Sequence, residues 1–319
     1  MTDGADRVAG TDGGADRGGR AAGGAGGGAL LVVGDVVTDV VARHREPLAA
    51  ATDTVARIRT LPGGAGANAA CWAARSGCAD VRILARVGAG DAAWHGVALR
   101  RAGVRPLLVP DPAVPTATVI ALVDASAERT FLTDSGAALR LAPGDWSPEL
   151  LEGVGHLHLS GYLFFADTSR ATALAALGDA RAAGVPVSVD PASAGFLKEW
   201  GVRRFLDAVE GVRVLLPNAD EARLLTGEDE PEAAARALSR RVPLVAMTLG
   251  AAGGLVAEAG RVTARAAAPP VRPVDTTGAG DAFTGAFLAA RLAGAGPAEA
   301  AEAGCRAGAA AVRTVGGRP

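Results

Sequence analysis

Short apolar runs alternate with longer stretches rich in Ala, Leu, Arg and Glu over most of the chain. The apolar runs, which are typical of buried β-strands, lie at Ala29–Gly34, Val81–Val87, His156–Ser160, Val185–Asp190, Val212–Leu216 and Leu244–Leu249. Helical composition is found between them at Ala69–Ser76, Ser169–Ala183 and Glu232–Arg240. This alternation predicts a three-layer α/β/α fold, in which helices cover both faces of a mostly parallel sheet. Binding sites in such folds lie at the carboxyl ends of the strands.

Two segments break the alternation, Thr54–Leu61 and Ala117–Thr133, because both are rich in β-branched residues and alternate polar with apolar positions. The second segment predicts a hairpin around Asp124–Ala127. Half-exposed strands inserted between βα units predict a small β-sheet lid, built from about residues 36–62 and 115–134. One face of this lid would be exposed unless it covers a ligand or a second subunit.

Residues 1–28 contain almost no large apolar side chains, so they predict a disordered tail before a domain at 29–319. A signal peptide is not expected, since the apolar stretch lies too far into the chain. The 319 residues carry a formal charge of −2, which argues against a nucleic-acid partner. No apolar run approaches the roughly 20 residues that span a bilayer. The three cysteines form neither a disulfide framework nor a zinc site, so a cytoplasmic protein is expected.

The most specific motif is Asp275-Thr276-Thr277-Gly278-Ala279-Gly280-Asp281, which leads directly into the helix-forming run Ala282–Leu292. Backbone N–H groups at the start of a helix lack intrahelical partners and, with the helix dipole, bind anions such as phosphate. Asp281 alone could be a helix cap. A carboxylate beside a bound phosphate is repelled by it, however, and general-base chemistry on an incoming hydroxyl explains its position. We therefore predict Asp281 as the base, with Gly278, Ala279 and Gly280 as the anion site.

A second glycine turn, Gly63-Gly64-Ala65-Gly66-Ala67-Asn68, also runs into a helix. Gly64, Gly66 and Ala69 fit a loose dinucleotide-binding pattern, which would indicate an NAD-dependent oxidoreductase. The preceding Thr54–Leu61 is amphipathic rather than a buried first strand, which disfavours that interpretation. A glycine pair that lets a polyhydroxy ligand approach the backbone, beside an Asn68 amide that donates and accepts hydrogen bonds, fits better.

These two glycine motifs, in this order and at this separation, resemble the signatures of the ribokinase-like (PfkB-type) carbohydrate kinases, and the resemblance extends from about Leu30 onward. It implies a kinase that uses ATP and Mg²⁺ on a small sugar, with a homodimer formed through the lid. Gly63, Gly64 and Asn68 would bind the substrate, together with Asp39 after the first strand.

Further positions carry over from the same resemblance. Asn218 and Glu221 match the family's Asn-x-x-Glu element, in which Glu221 acts on Mg²⁺ through water; without the family, the two residues would be read as a helix cap. Thr248 and Gly250 resemble the turn that contacts the nucleotide. The family often binds a monovalent cation such as K⁺, and Asp275 and Thr277 would be its ligands here.

The substrate is left open by the sequence. Ribokinase has a substrate-binding carboxylate after the mid-chain strand, whereas His158-Leu159-Ser160-Gly161-Tyr162 has none, so the chain looks closer to ketodeoxygluconate-type or nucleoside kinases. A non-catalytic sugar-binding protein is the remaining alternative, which the retained Asp281 disfavours. His156 and His158 alternate on one strand and could form a metal pair, but no third ligand is evident.

Overall fold

The computed structural model describes Met1 and residues 27–125 and 129–319, apart from the side chain of Arg129. The predicted disordered tail, residues 1–28, therefore lies almost entirely outside the described residues. So does part of the turn expected around Asp124–Ala127.

The large sheet has nine strands, and its parallel part follows the apolar runs of the sequence. The strands of the protein are β1 (Ala29–Val33), β2 (Val37–His44), β3 (Ala56–Gly63), β4 (Val81–Gly88), β5 (Val104–Asp111), β6 (Ala117–Val123), β7 (Arg129–Asp134), β8 (Val154–Ser160), β9 (Val187–Asp190), β10 (Val214–Leu215), β11 (Leu244–Thr248), β12 (Gly254–Glu258) and β13 (Arg261–Ala266). In the large sheet their order is β13-β12-β11-β10-β9-β8-β1-β4-β5. Among the described strands of this sheet, β12 pairs antiparallel with both β11 and β13, and the other neighbours pair in parallel. The predicted mostly parallel sheet is confirmed.

Helices cover both faces of this sheet, which confirms the three-layer prediction. The described residues form α1 (Ala65–Arg75), α2 (Ala92–Arg101), α3 (Asp167–Ala182), α4 (Ala194–Trp200), α5 (Val202–Ala208), α6 (Ala219–Thr226), α7 (Pro231–Leu238), α8 (Ala279–Leu292) and α9 (Pro297–Ala311). Helices α3 to α7 pack on one face, where Leu31 and Val33 of β1 are buried. Helices α1, α2, α8 and α9 cover Leu30 and Val32 on the other. Alternate residues of β1 thus enter two separate cores.

A second sheet of four strands, in the order β3-β2-β6-β7, forms from the two inserted segments. Strands β2 and β6 pair in parallel, although they come from different insertions. The outer strands join antiparallel, so β6 and β7 form the predicted hairpin. Ile58, Phe131 and Leu132 on this small sheet are exposed. A homodimer through the sheet and a cytoplasmic location stay predictions.

Helices α1 and α8 cross at a short distance because small residues meet at the crossing. A β-carbon placed on Gly285 of α8 would lie 2.2 Å from the carbonyl oxygen of Ala69 in α1, which leaves no room for any side chain. This contact brings together the starts of the two helices that follow the two glycine motifs. Within the described part of the chain, none of the helices has both the length and the apolar character needed to cross a membrane.

Candidate active site

A cavity of about 470 Å³ lies between the carboxyl ends of the parallel strands and the small sheet. Sequence-predicted residues from both glycine motifs, from the Asn-x-x-Glu element and from strands β2 and β11 line it, namely Asp39, Gly64, Asn68, Asn218, Glu221, Thr248, Thr277, Gly280 and Asp281. Other predicted residues are adjacent in sequence but are not part of its wall, namely Gly63, Gly250, Asp275, Gly278 and Ala279. The fold therefore brings the two distant motifs to one cavity, and the nucleotide role of Gly250 stays a prediction.

Asp281 and Asn68 face each other at the helix crossing. The Asn68 side-chain Nδ2 donates a hydrogen bond of 2.8 Å to Oδ2 of Asp281. Burial raises the pKa of the Asp281 carboxyl well above its usual value, while the hydrogen bond from Asn68 lowers it. The negative charges of Asp190, Asp35 and Asp39 raise this pKa further. Such a carboxylate binds a proton more readily than an ordinary one, as a general base must.

The turn before helix α8 presents backbone N–H groups at the same place. Gly278 is the N-cap residue and has a left-handed backbone with φ of 74°, and the helix begins at Ala279. Among the described residues, the Ala279 N–H makes a long contact of 3.4 Å with the carbonyl oxygen of Thr276. Asp281 stands in the first turn of this helix, beside the positive end of its dipole. An anion bound at the helix start would therefore lie next to the Asp281 carboxylate.

The Asp275 carboxylate holds the turn in shape. Its Oδ1 accepts a hydrogen bond of 2.9 Å from the Thr277 N–H, and its Oδ2 accepts one of 3.0 Å from the Gly316 N–H. Asp275 is buried. These bonds give Asp275 a structural task, and the monovalent cation expected at Asp275 and Thr277 stays a prediction.

The opposite wall is formed at the start of helix α1. Asp35, which the sequence analysis did not single out, accepts hydrogen bonds from the N–H groups of Ala65 at 2.7 Å and Gly66 at 3.1 Å. The Ser160 hydroxyl donates a third hydrogen bond to Asp35. Asp39 lies nearby on β2, and burial raises its pKa to about 6. Asp35 thus orients the glycine turn, and Asp39 is a hydrogen-bond acceptor on the wall of the cavity.

Asn218 and Glu221 form a capping box at the start of helix α6. The Glu221 N–H donates to Asn218 Oδ1 at 2.8 Å, and the Asn218 N–H donates to Glu221 Oε2 at 2.9 Å. Glu221 also lines the cavity, so its carboxylate has both a capping and a cavity-facing role. Burial, with the charge of Asp190 as a further cause, raises the pKa of Glu221 to about 7. The carboxylates of Glu221 and Asp190, which both line the cavity, are the kind of oxygen ligand that Mg²⁺ and its bound waters prefer.

Asp190, at the end of β9, is a cavity residue that sequence reasoning missed. It is held by a buried chain of hydrogen bonds through His158 (3.2 Å), Ser188 (2.9 Å) and His156 (2.9 Å). Because a carboxylate only accepts, His158 Nε2 donates to Asp190; in the neutral imidazole, His158 Nδ1 then accepts from the Ser188 hydroxyl. The Ser188 oxygen then accepts from His156, whose pKa is lowered to about 3 by burial. The two histidines therefore orient a carboxylate, and the metal-pair interpretation is not supported.

We expect Ser188→Ala to lower the free energy of unfolding by about 1–3 kcal/mol, because two buried imidazole nitrogens lose their partner. Denaturant unfolding measures this loss, and Ser76→Ala at an exposed position is the matched control. Equal stability of Ser188→Ala and the wild type would show that the chain of hydrogen bonds is not formed.

The comparisons with known proteins agree with this geometry. The profile described as "pfkB family carbohydrate kinase" matches residues 29–319. The chain belongs to the PfkB family of carbohydrate kinases. It is 33% identical over 268 residues to a fructokinase from Klebsiella pneumoniae, covering 81% of this chain and 82% of that one. It is therefore a phosphotransferase with a hydroxyl group as acceptor.

Two solved structures have the same fold as this PfkB-family chain. A probable sugar kinase from Rhizobium etli CFN 42 superposes with a TM-score of 0.82 at 24% identity, covering 92% of this chain and 95% of that one. A putative ribokinase II from E. coli, in complex with ATP and Mg²⁺, superposes with a TM-score of 0.80 at 24% identity, covering 91% and 94%.

The family assignment excludes the dinucleotide-binding interpretation of Gly64, Gly66 and Ala69. In the structure, these residues follow β3 of the small sheet, which pairs antiparallel with β2. A dinucleotide-binding turn instead follows a central strand of a parallel sheet. The glycine pattern therefore does not mark a dinucleotide site here, and the amphipathic strand before it correctly indicated this.

Aromatic rings form a third part of the cavity wall in this PfkB-family kinase. Phe165 and Phe196 stack with ring centroids 5.2 Å apart, and Tyr162 meets both edge-on. All three line the cavity, together with Phe131 of the small sheet. Phe164, by contrast, is fully buried against Phe205 and belongs to the core. Sequence alone did not distinguish Tyr162 from Phe164, because both lie in one apolar run.

Proposed function

We propose that this sugar kinase transfers the γ-phosphoryl group of ATP to a hydroxyl of a neutral sugar, with Asp281 as the general base. The observation that carries the proposal is the Asp281 carboxylate in the cavity, in the first turn of the helix whose amino end forms the anion site. The similar fold of a putative ribokinase II in complex with ATP and Mg²⁺ supports the choice of nucleotide and metal.

Asp281 accepts the proton of the attacking hydroxyl at a carboxylate oxygen. The hydrogen bond from Asn68 occupies Oδ2 and fixes the plane of the carboxylate, so Oδ1 is left to face the acceptor. The raised pKa of Asp281 brings its basicity closer to neutral pH, where proton transfer from an alcohol is more effective.

The start of helix α8 stabilises charge on the transferred phosphoryl group. Its backbone N–H groups are oriented before substrate binds, so no reorganisation is needed as charge develops. Glu221, with Asp190 beside it, would hold Mg²⁺ through bound water. When bound, the metal neutralises charge on the phosphates. The small sheet closes one side of the cavity and limits the access of water, which would otherwise compete with the sugar.

The charges on the cavity wall support a neutral acceptor. Asp35, Asp39 and Asp190 line it together with Glu221 and Asp281, whereas none of the described lining residues is Lys, Arg or His. An acceptor that carries its own carboxylate or phosphate would be repelled. This argues against a ketodeoxygluconate-type sugar acid and supports a neutral pentose or hexose, as the similarity to a fructokinase also does.

A nucleoside is the second candidate acceptor, and the aromatic wall favours it. The stacked pair Phe165 and Phe196 with Tyr162 offers flat apolar surfaces to a base, but also to the apolar face of a sugar ring. Nucleosides are uncharged at neutral pH, so the acidic wall does not exclude them.

The test is release of ADP from MgATP in the presence of D-fructose, D-ribose, adenosine or 2-dehydro-3-deoxygluconate. We expect turnover with a neutral sugar and loss of that turnover when Mg²⁺ is chelated. Turnover with adenosine alone would favour the nucleoside kinase. Turnover with the sugar acid alone would contradict the neutral acceptor, and no turnover beyond ATP hydrolysis would contradict the kinase assignment.

Asp39→Asn tests the acceptor side. We expect the KM for the sugar to rise by about 10-fold or more, because the sugar hydroxyls lose their hydrogen bonds to the charged Asp39 carboxylate. The KM for ATP should stay nearly unchanged. In the wild type the KM for the sugar should also rise as pH falls below about 6, since Asp39 is then protonated. Steady-state kinetics measure both, with the exposed Asp53→Asn as control. Unchanged sugar KM in Asp39→Asn would remove Asp39 from the site.

A further inference from the structure

Arg318, in the segment that follows helix α9, has a partly buried guanidinium group that the proposed mechanism leaves unused. Its Nη2 donates a hydrogen bond of 2.8 Å to the carbonyl oxygen of Gly63, the last residue of β3. Its Nε and Nη1 are buried, and neither has a hydrogen-bond partner among the described residues. A buried cation without full hydrogen bonding is costly, so a compensating negative charge is expected nearby.

Asp39 provides such a charge at the same peptide. A β-carbon placed on Gly63 would lie 2.0 Å from Oδ2 and 2.5 Å from Cγ of Asp39, so the carboxylate rests against the Gly63 α-carbon. Arg318 holds the carbonyl oxygen of that same residue. The cation and the carboxylate therefore meet at Gly63 without a direct ion pair in this part of the structure.

The backbone around Arg318 is fixed by contacts with both halves of the active site. The carbonyl oxygen of Gly317 accepts a hydrogen bond of 2.9 Å from Trp72 Nε1 in helix α1. A β-carbon placed on Gly317 would lie 2.3 Å from Nδ2 of Asn68, and one placed on Gly278 would lie 2.4 Å from the Gly317 α-carbon. Arg318 thus extends from a segment that packs between Asn68 and the turn at Gly278.

From this geometry we infer that Arg318 is a positioning residue for the acceptor site, which fixes the Gly63 peptide and holds the Asp39 carboxylate as a charged acceptor of sugar hydroxyls. The inference rests on the proposed function, since it assigns Asp39 to the sugar. It adds a residue outside both glycine motifs, on a segment that the cavity wall does not include.

The surrounding charges support this role. Burial raises the pKa of Asp39 to about 6, the positive charge of Arg318 lowers it, and the charges of Asp35 and Asp275 raise it. The charge of Arg318 also acts on Cys71 of helix α1 and His95 of helix α2. Burial raises the pKa of Cys71 and the charge of Arg318 partly offsets this, whereas burial and the charge of Arg318 together lower the pKa of His95 to about 4. Without Arg318, Asp39 keeps only neighbours that disfavour its ionised form, so its pKa would rise further.

Steady-state kinetics with MgATP, and with D-fructose and D-ribose as probes, test the inference. We expect Arg318→Gln to raise the sugar KM about 10-fold or more, the size expected for weakened bonds to a charged group, while kcat changes much less. Arg318→Lys keeps the charge and should recover part of the loss. Arg313→Gln, at an exposed arginine of the same segment, should have no effect. An unchanged sugar KM in Arg318→Gln, in an enzyme that turns over either probe, would overturn the inference.

A second measurement needs no substrate, so it separates this inference from the proposed function. Unfolding in urea is compared for the wild type, Arg318→Gln, Asp39→Asn and the double variant, at about pH 8 and about pH 5. Folding raises the pKa of Asp39, so the ionised carboxylate lowers the free energy of unfolding at pH values above that pKa. The positive charge of Arg318 offsets this loss only at pH values where Asp39 is ionised. We therefore expect a coupling between the two substitutions that is larger at pH 8 than at pH 5. Arg318→Gln could instead lower the free energy of unfolding by the same amount in the wild type and in Asp39→Asn, at both pH values. Arg318 would then have only a structural role, and the inference would be overturned.

Discussion

Asp281→Asn is expected to lower kcat by roughly 10²–10⁴-fold, while the KM for ATP stays nearly unchanged. The amide has the size of the carboxylate, and its oxygen can still accept the hydrogen bond from Asn68, so the helix crossing is preserved. It cannot take up the proton of the attacking hydroxyl. ADP release with saturating acceptor measures kcat, and the exposed Asp229→Asn serves as control.

The pH profile gives this prediction a second readout. Asp281 acts as a base only when it is ionised, and its pKa is raised by burial. The kcat of the wild type should therefore fall as pH drops through that raised pKa, and Asp281→Asn should lack this limb. Full activity in Asp281→Asn would contradict the general-base assignment, whichever acceptor is used.

Gly278→Ala is expected to reduce kcat by about 10²–10³-fold, the loss seen when one donor to a developing negative charge is removed. Gly278 has φ of 74°, a conformation that costs an alanine about 1–2 kcal/mol. A methyl group there would also lie 2.4 Å from the α-carbon of Gly317, a backbone atom that cannot turn away. The turn must therefore shift, and its N–H groups leave the position of the phosphoryl group.

Gly178→Ala in helix α3 is the matched control, because its new methyl group meets open space. Alanine in place of glycine at an exposed position within a helix should stabilise the protein by about 0.5–1 kcal/mol and leave kcat unchanged. Thermal unfolding of both variants separates a local shift of the turn from global unfolding. A folded Gly278→Ala with wild-type kcat would show that this turn does not hold the phosphoryl group.

Much of the fold could be predicted from hydrophobic runs, because the central strands are buried on both faces. The strands at the sheet edges were missed. Strand β5 (Val104–Asp111) is an edge strand with two prolines and partly exposed positions, so it has no continuous apolar run. Strands β12 and β13 join through Ala259 and Gly260, both with positive φ, and an Ala-Gly pair is a weak turn signal.

The position of Asp281 and Asn68 on the cavity wall could be predicted, because each belongs to a local sequence motif. The hydrogen bond between these two residues could not, because it depends on the crossing of two helices at Gly285. Asp190 could have been predicted as a site residue, because it ends a predicted strand at the edge of the sheet where binding sites form. The buried hydrogen bonds through His158, Ser188 and His156 could not have been predicted, because the strand pattern shows which residues share a face but not which side chains bond to each other.

The Asn68–Asp281 hydrogen bond joins residues that are 213 positions apart. The chain must therefore be synthesised at least as far as Asp281 before the two side chains can meet. Fragments that end before α8, whether from interrupted synthesis or from proteolysis, contain at most Asn68 of this pair and lack the amides proposed to bind phosphate. Such fragments would lack the proposed base and the proposed anion site, so we expect them not to release ADP from MgATP.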